Sequence, residues 1–113
     1  MLNQFVLIGR LTKDPEIVEL ENGKKVSNIT IAVPRDHKNS NGENNVDFID
    51  CTLWNNVAET TSNYCRKGDM LGIRGKLEPN FDSENNKKIV ITGERVTFLS
   101  SKDRHKSEVS QRF

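Results

Sequence analysis

A single all-β domain is what this sequence predicts: five strands closed into a small barrel, with one helix between the third and fourth strands. Three observations carry the expectation. Five stretches alternate apolar and polar residues, the period of a half-buried strand. One stretch, residues 56–67, changes to helical spacing. Glycines at 9, 72, 75 and 93 fall inside the strand stretches, where a small barrel turns its corners. At 113 residues the chain has length for one core and not for two.

The first strand covers residues 3–12 and is interrupted by Gly9. "KDPE" ends it, and "IVELENGKKV" reads as a hairpin turning at Asn22-Gly23. "VSNITIAVPRD" is the second strand, with Ile29, Ile31 and Val33 inward and Asn28, Thr30 and Ala32 outward. "DHKNSNGENN" has no apolar residue and reads as a polar loop. The third strand is "DFIDCTLWNN": Ile49, Cys51 and Leu53 suit a core, while Phe48, Asp50, Thr52 and Trp54 share the other face. In "NVAETTSNYCRK", Val57, Thr61, Tyr64 and Cys65 fall on one helix face, Asn56 with Glu59 suits a capping box, and Gly68 suits the stop. "MLGIRGKLEP" is the fourth strand, with Leu71, Ile73 and Leu77 inward and Arg74 and Lys76 outward. "NFDSENNKK" is a second polar loop, and "KIVITGERVTFL" is the fifth strand. This order is that of the OB-fold, which often binds oligonucleotides or oligosaccharides; an open sheet covered by one helix is the alternative. Residues 1–99 form the domain, and residues 100–113, almost without apolar side chains, read as a disordered polar tail.

Composition restricts function more by exclusion than by assertion. Net charge is +1, so a polyanionic partner requires a local basic patch. Two cysteines, Cys51 and Cys65, are too few for a disulfide scaffold and lack metal-ligand spacing. The apolar stretch Phe5 to Ile8 is too short for a signal peptide or a membrane span, which predicts a soluble intracellular protein. No phosphate-loop, HExxH, GxSxG or Cys-x-x-Cys pattern occurs. His37 and His105 stand in polar segments without ligand-spaced partners, and Asp14, Glu16, Glu19 and Glu21 read as solvated charge. No enzyme and no cofactor is expected.

Binding fits the residues better. Single-stranded nucleic acid is held by aromatic rings that stack bases and by cations that follow the backbone. Phe48 and Trp54 lie on one strand face, roughly 20 Å apart at strand rise. Arg74 and Lys76 line the outward face of the fourth strand, and Arg10 follows Gly9. Arg35, Lys38, Lys87 and Lys88 sit in or beside the two polar loops, and Phe81 tips the second. On chemistry alone the indole of Trp54 suits a stacking platform and packing against the helix or a second subunit almost equally. An OB-fold assembly subunit whose aromatics form a protein interface, and an RNA-binding module, are the competing functional readings.

"GRLTKDPE" (9–16), "NG" (22–23), "NITIAV" (28–33), "DFIDCTLW" (47–54) and "KGDMLGIRGKL" (67–77) together resemble bacterial single-stranded DNA-binding proteins over about residues 2–99. The resemblance implies an OB-fold, a homotetramer, and sequence-independent binding of single-stranded DNA in replication, recombination and repair, in the cytoplasm at the nucleoid. By position it makes Phe48 and Trp54 stacking aromatics, Phe81 an aromatic of a shortened loop, and His37 the weaker occupant of a further aromatic position. Asp50 departs from the pattern: an acid beside a phosphate track costs affinity unless a cation such as Arg74 or Lys76 offsets it. The tail departs too. Lys102, Arg104, Lys106 and Arg112 stand against Asp103 and Glu108, a balance of +2, and no acidic cluster precedes Phe113. Recruitment of replication and repair proteins through an acidic tip is therefore not implied.

Overall fold

A computed structural model describes residues 1–38, 40–42 and 44–100, with the backbone alone at 36–38 and 44. The tail expectation for 101–113 lies outside the described residues. The elements are β1 (Phe5–Leu11), β2 (Val18–Glu19), β3 (Lys25–Lys38), β4 (Asn44–Trp54), α1 (Asn55–Tyr64), β5 (Met70–Phe81) and β6 (Lys87–Ser100). Ser100 thus ends β6, paired with Met70, and does not begin a tail.

The sheet runs β1-β5-β6-β4-β3-β2, and an added pairing of β1 with β3 closes five of the strands into a ring. β1 makes both contacts because it is shared lengthwise. Residues 5–10 pair with β5, while Arg10 and Leu11 also pair with Ala32 and Ile31 of β3. Closure is completed by a short parallel contact, Thr52 with Thr92 and Leu53 with Gly93. β2 is the predicted hairpin's first half, and the Gly23 N–H donates to the Leu20 carbonyl at its turn. Gly23 takes φ 85°, which glycine adopts without a Cβ penalty.

Ile29, Ile31, Cys51, Leu53, Leu71 and Ile73 fill the ring, all at most 2% exposed. Neither cysteine forms a disulfide; burial pushes the Cys51 thiol up to about 11, so it behaves as a small apolar side chain. Leu77 is the exception to the predicted inward row, at 40% exposure. The β1–β5 pairing ends at Gly75, so beyond it β5 pairs with β6 alone and leaves the ring as a two-stranded arm. Asn3 takes the missing strand's place there: its Nδ2 donates to the Leu77 carbonyl and its Oδ1 accepts the Leu77 N–H.

Both polar loops are shorter than predicted. β3 and β4 continue as a ribbon to the pair Lys38 and Asn44, with an irregularity after Pro34. The second loop shrinks to 82–86, where Asp82 Oδ1 accepts the N–H groups of Glu84 and Asn86. Those hydrogen bonds, that of Asn86 foremost, hold the Asp82 carboxyl below its usual range.

α1 follows Trp54 without a linker and packs on β3, β4 and β6. The predicted Asn56–Glu59 capping box does not form. The cap position falls on Trp54, which has no capping side chain, and Glu59 instead accepts from Lys25 Nζ. The predicted stop at Gly68 is also displaced. The chain turns extended at Cys65, and Asp69 Oδ2 takes the Arg66 N–H. Thr61 on the buried helix face is 0% exposed, and its hydroxyl finds no partner among the described residues. A buried hydroxyl without a hydrogen bond destabilises, so Thr61→Val is expected to raise stability by about 1 kcal/mol. Urea denaturation measures it, and a lower midpoint would show that the hydroxyl is bonded after all.

Candidate nucleic-acid interface

The outward residues of β3 and β4 face each other in register: Val26 with Trp54, Asn28 with Thr52, Thr30 with Asp50, and Ala32 with Phe48. Residues directly opposite on antiparallel strands share a face, so these pairs form one strip two strands wide. The strip is aromatic at its two ends and polar between them. Phe48 is 68% exposed and Trp54 38%. Two hydroxyls order the polar middle: Thr30 Oγ1 donates to Asp50 Oδ1 at 2.7 Å, and Thr52 Oγ1 donates to Asn28 Oδ1 at 3.0 Å. An acid and a threonine beside two large rings make neither a core layer nor an ordinary solvated face.

The β5–β6 arm stands beside this strip and makes it concave. A groove of about 430 Å³ lies between Thr30, Asp50 and Thr52 on one side and Lys88 and Val90 on the other, with Lys13 at its margin. A second, of about 530 Å³, runs from Val26 and Trp54 to Glu78, Asn80 and Thr92. Thr92 Oγ1 donates to Glu78 Oε1 at 2.9 Å, which joins the two strands of the arm at its base.

The predicted site residues divide among several surfaces. Phe48, Trp54 and Lys88 share the concave face. Arg10 joins the same row, since it pairs with Ala32 and Ala32 with Phe48, and its Nη1 donates to the Gly68 carbonyl at 2.8 Å. Lys76 pairs with Thr92 at the foot of the arm. Arg74 lies elsewhere, in a hollow of about 480 Å³ with Val6, Ile8, Arg95 and Leu99. Phe81 is the last residue of β5 and pairs with Lys87. That pair alternates with Asn80 and Lys88, so Phe81 and Lys87 occupy the other face of the arm. Arg35 is held by Asp47 through Nε at 3.0 Å and Nη2 at 2.9 Å. Asp47 alternates with Phe48, which puts this ion pair on the reverse face of the ribbon. The Arg35 hydrogen bonds hold the Asp47 carboxyl below its usual range, and in return the guanidinium is held above its own. His37 and Lys38 lie in β3 by backbone, and their side chains are outside the described residues.

Among the described residues, the cations that share Asp50's groove are therefore Lys13 and Lys88, and Arg74 is not one of them. Lys13, Asn28 and Thr30 are the residues sequence reasoning did not assign to the site. The outward alternation of Asn28 and Thr30 was available as a signal. Nothing in the sequence brings Lys13, which follows β1, to a residue of β4. Among the described residues no cluster of His, Cys, Asp and Glu suited to a metal ion occurs, and no helix is long and apolar enough to cross a membrane.

Residues 2–99 match the single-strand binding protein family. The chain belongs to that family. The single-strand binding proteins are DNA-binding proteins without enzymatic activity, and their OB-fold is the ring described above. The chain is 38% identical over 111 residues to single-stranded DNA-binding protein B of Bacillus subtilis, covering 95% of this chain and 98% of that one. It is 41% identical over 106 residues to a single-stranded DNA-binding protein of Oceanobacillus iheyensis, of which it spans 66%. Over 93 residues it is 41% identical to that of Enterococcus faecalis and spans 50% of it. The family match thus covers the ring, the arm and the strip between Phe48 and Trp54.

Proposed function

We propose that this chain binds single-stranded DNA without a required sequence, through the concave strip, and protects strands exposed in replication, recombination and repair. One observation carries the reading: two exposed rings flank a polar strip beside an arm that supplies Lys88. Bases stack on the rings, and Lys13, Lys88 and Arg10 follow the phosphates. Lys76 extends the track at the foot of the arm, and His37 and Lys38, which lie in β3 by backbone, extend it along the β3–β4 ribbon, whereas Phe81 and Lys87 on the arm's other face and Arg35 held by Asp47 lie off it. Val6 and Ile8, 64% and 55% exposed on the outer face of β1, suit burial against a second copy, which supports self-association of the kind the family's homotetramer requires.

Titration with oligo-dT, oligo-rU and duplex DNA at two salt concentrations tests the reading. Affinity for oligo-dT is expected to fall with salt, with a log–log slope of about −0.7 per phosphate neutralised. Duplex DNA is expected to bind far more weakly, because its bases are already stacked on each other. Salt-independent binding, or none, would favour a protein interface on the aromatic face. Equal affinity for oligo-rU would show that contacts at the sugar play no part.

A further inference from the structure

We propose that Asp50 biases this platform toward bases carrying an exocyclic amino group, and specifically toward cytosine over thymine. The inference rests on the strip being the single-stranded DNA platform. A base lying between those stacked on Phe48 and Trp54 has to pass Asp50 and Thr52, because all four residues alternate along one face of β4. In a single strand its Watson–Crick edge is open to the protein.

What meets that edge is ordered in advance. The Thr30 hydroxyl occupies Asp50 Oδ1 at 2.7 Å, and the carboxylate makes no other hydrogen bond among the described residues, which leaves Oδ2 as an acceptor. The Thr52 hydroxyl occupies Asn28 Oδ1, which leaves the Asn28 amide N–H groups as donors two residues along the strip, at the next pair on the same face. An ionised carboxylate accepts and cannot donate. Cytosine answers this arrangement with an N4 amino donor beside the N3 acceptor, and a carboxylate accepting from that amino group is an established mode of base readout. Thymine instead presents two carbonyl oxygens around a single N3–H, so one or both oxygens face the carboxylate. Lys13 and Lys88 share the groove and offset the acid's charge toward the phosphates equally for both bases. Asp50 therefore adds a term set by the base to binding that otherwise depends on charge and stacking.

Oligo-dT and oligo-dC of equal length, each titrated into wild type and Asp50→Asn at two salt concentrations, separate these terms. Asparagine keeps an acceptor for Thr30 and adds a donor that thymine oxygens can use. The ratio Kd(dT)/Kd(dC) is expected to fall by about five-fold or more on substitution. The change in ratio should be the same at both salt concentrations, because the two oligonucleotides carry the same phosphates. If both affinities rise together and the ratio holds, Asp50 acts through charge alone and the inference is overturned. An unchanged pair of affinities overturns it as well. Wild type that binds neither oligonucleotide would overturn the platform reading itself.

Discussion

Replacing Trp54 with alanine is expected to weaken oligo-dT binding by about 1–3 kcal/mol, the usual worth of one base–aromatic stack. That corresponds to a loss of roughly five- to 150-fold in affinity. The indole is 38% exposed, pairs with Val26 at the edge of a groove, and stands outside the cluster that fills the ring. Stability should accordingly fall by far less than the roughly 3–5 kcal/mol that truncating a buried tryptophan costs. Trp54 is the single tryptophan, so its emission reports on this face alone. Oligo-dT should quench it saturably, and duplex DNA of equal charge much less. Quenching without lost affinity in the variant would mean that the ring lies near the DNA but does not hold it. A large drop in Tm with unchanged binding would assign the indole to packing.

The face of β4 was legible because one side of that strand is buried and the other is not. Ile49, Cys51 and Leu53 alternate with Phe48, Asp50, Thr52 and Trp54, and the structure keeps that alternation, with Cys51 and Leu53 buried. The same rule failed where both faces of a strand meet solvent. The ends of the β3–β4 ribbon and the tip of the arm are polar on both sides, so strand residues there carry the pattern of a loop. Leu77 failed for a related reason. Its alternation is that of Leu71 and Ile73, but alternation does not say where the neighbouring strand stops, and β1 stops at Gly75. The helix start moved because the partner of its predicted cap is distant in sequence. Lys25 draws Glu59 away from the cap, and only the paired strands bring those residues together. The site residues followed the same division. The exposed face that Phe48 and Trp54 share was readable from one strand, whereas Lys13 in the groove of Asp50, and Arg35 bound to Asp47, depend on ring closure and pairing across strands.

The glycine predicted to matter most for folding is Gly75, and Gly75→Ala is expected to cost about 3 kcal/mol or more. A Cβ built there meets the Thr92 carbonyl oxygen at 1.9 Å and the Glu94 nitrogen at 3.0 Å. Both are backbone atoms of the paired strand, so no rotamer change relieves the contact, and the overpacking cost should reach or pass the upper end of its usual 1–3 kcal/mol range. Such a loss is a large part of the stability of a small domain. Two other strand glycines set the scale. At Gly93 a Cβ meets Leu53 Cδ2 at 2.6 Å and Ile73 Cγ2 at 3.0 Å, side-chain atoms that can shift, so alanine there should cost less. At Gly72 the nearest atom is Leu99 Cδ1 at 3.7 Å, an ordinary contact, and alanine should be near neutral. Urea denaturation of the three variants reads the order directly. Gly75 is also where β5 leaves β1 and begins the arm, so a Gly75→Ala chain that still folds should bind oligo-dT more weakly as the arm shifts from the strip. Equal stability for Gly75→Ala and Gly72→Ala would show that Thr92 and Glu94 can move aside, and the close approach of β5 to β6 would then be no constraint on the ring.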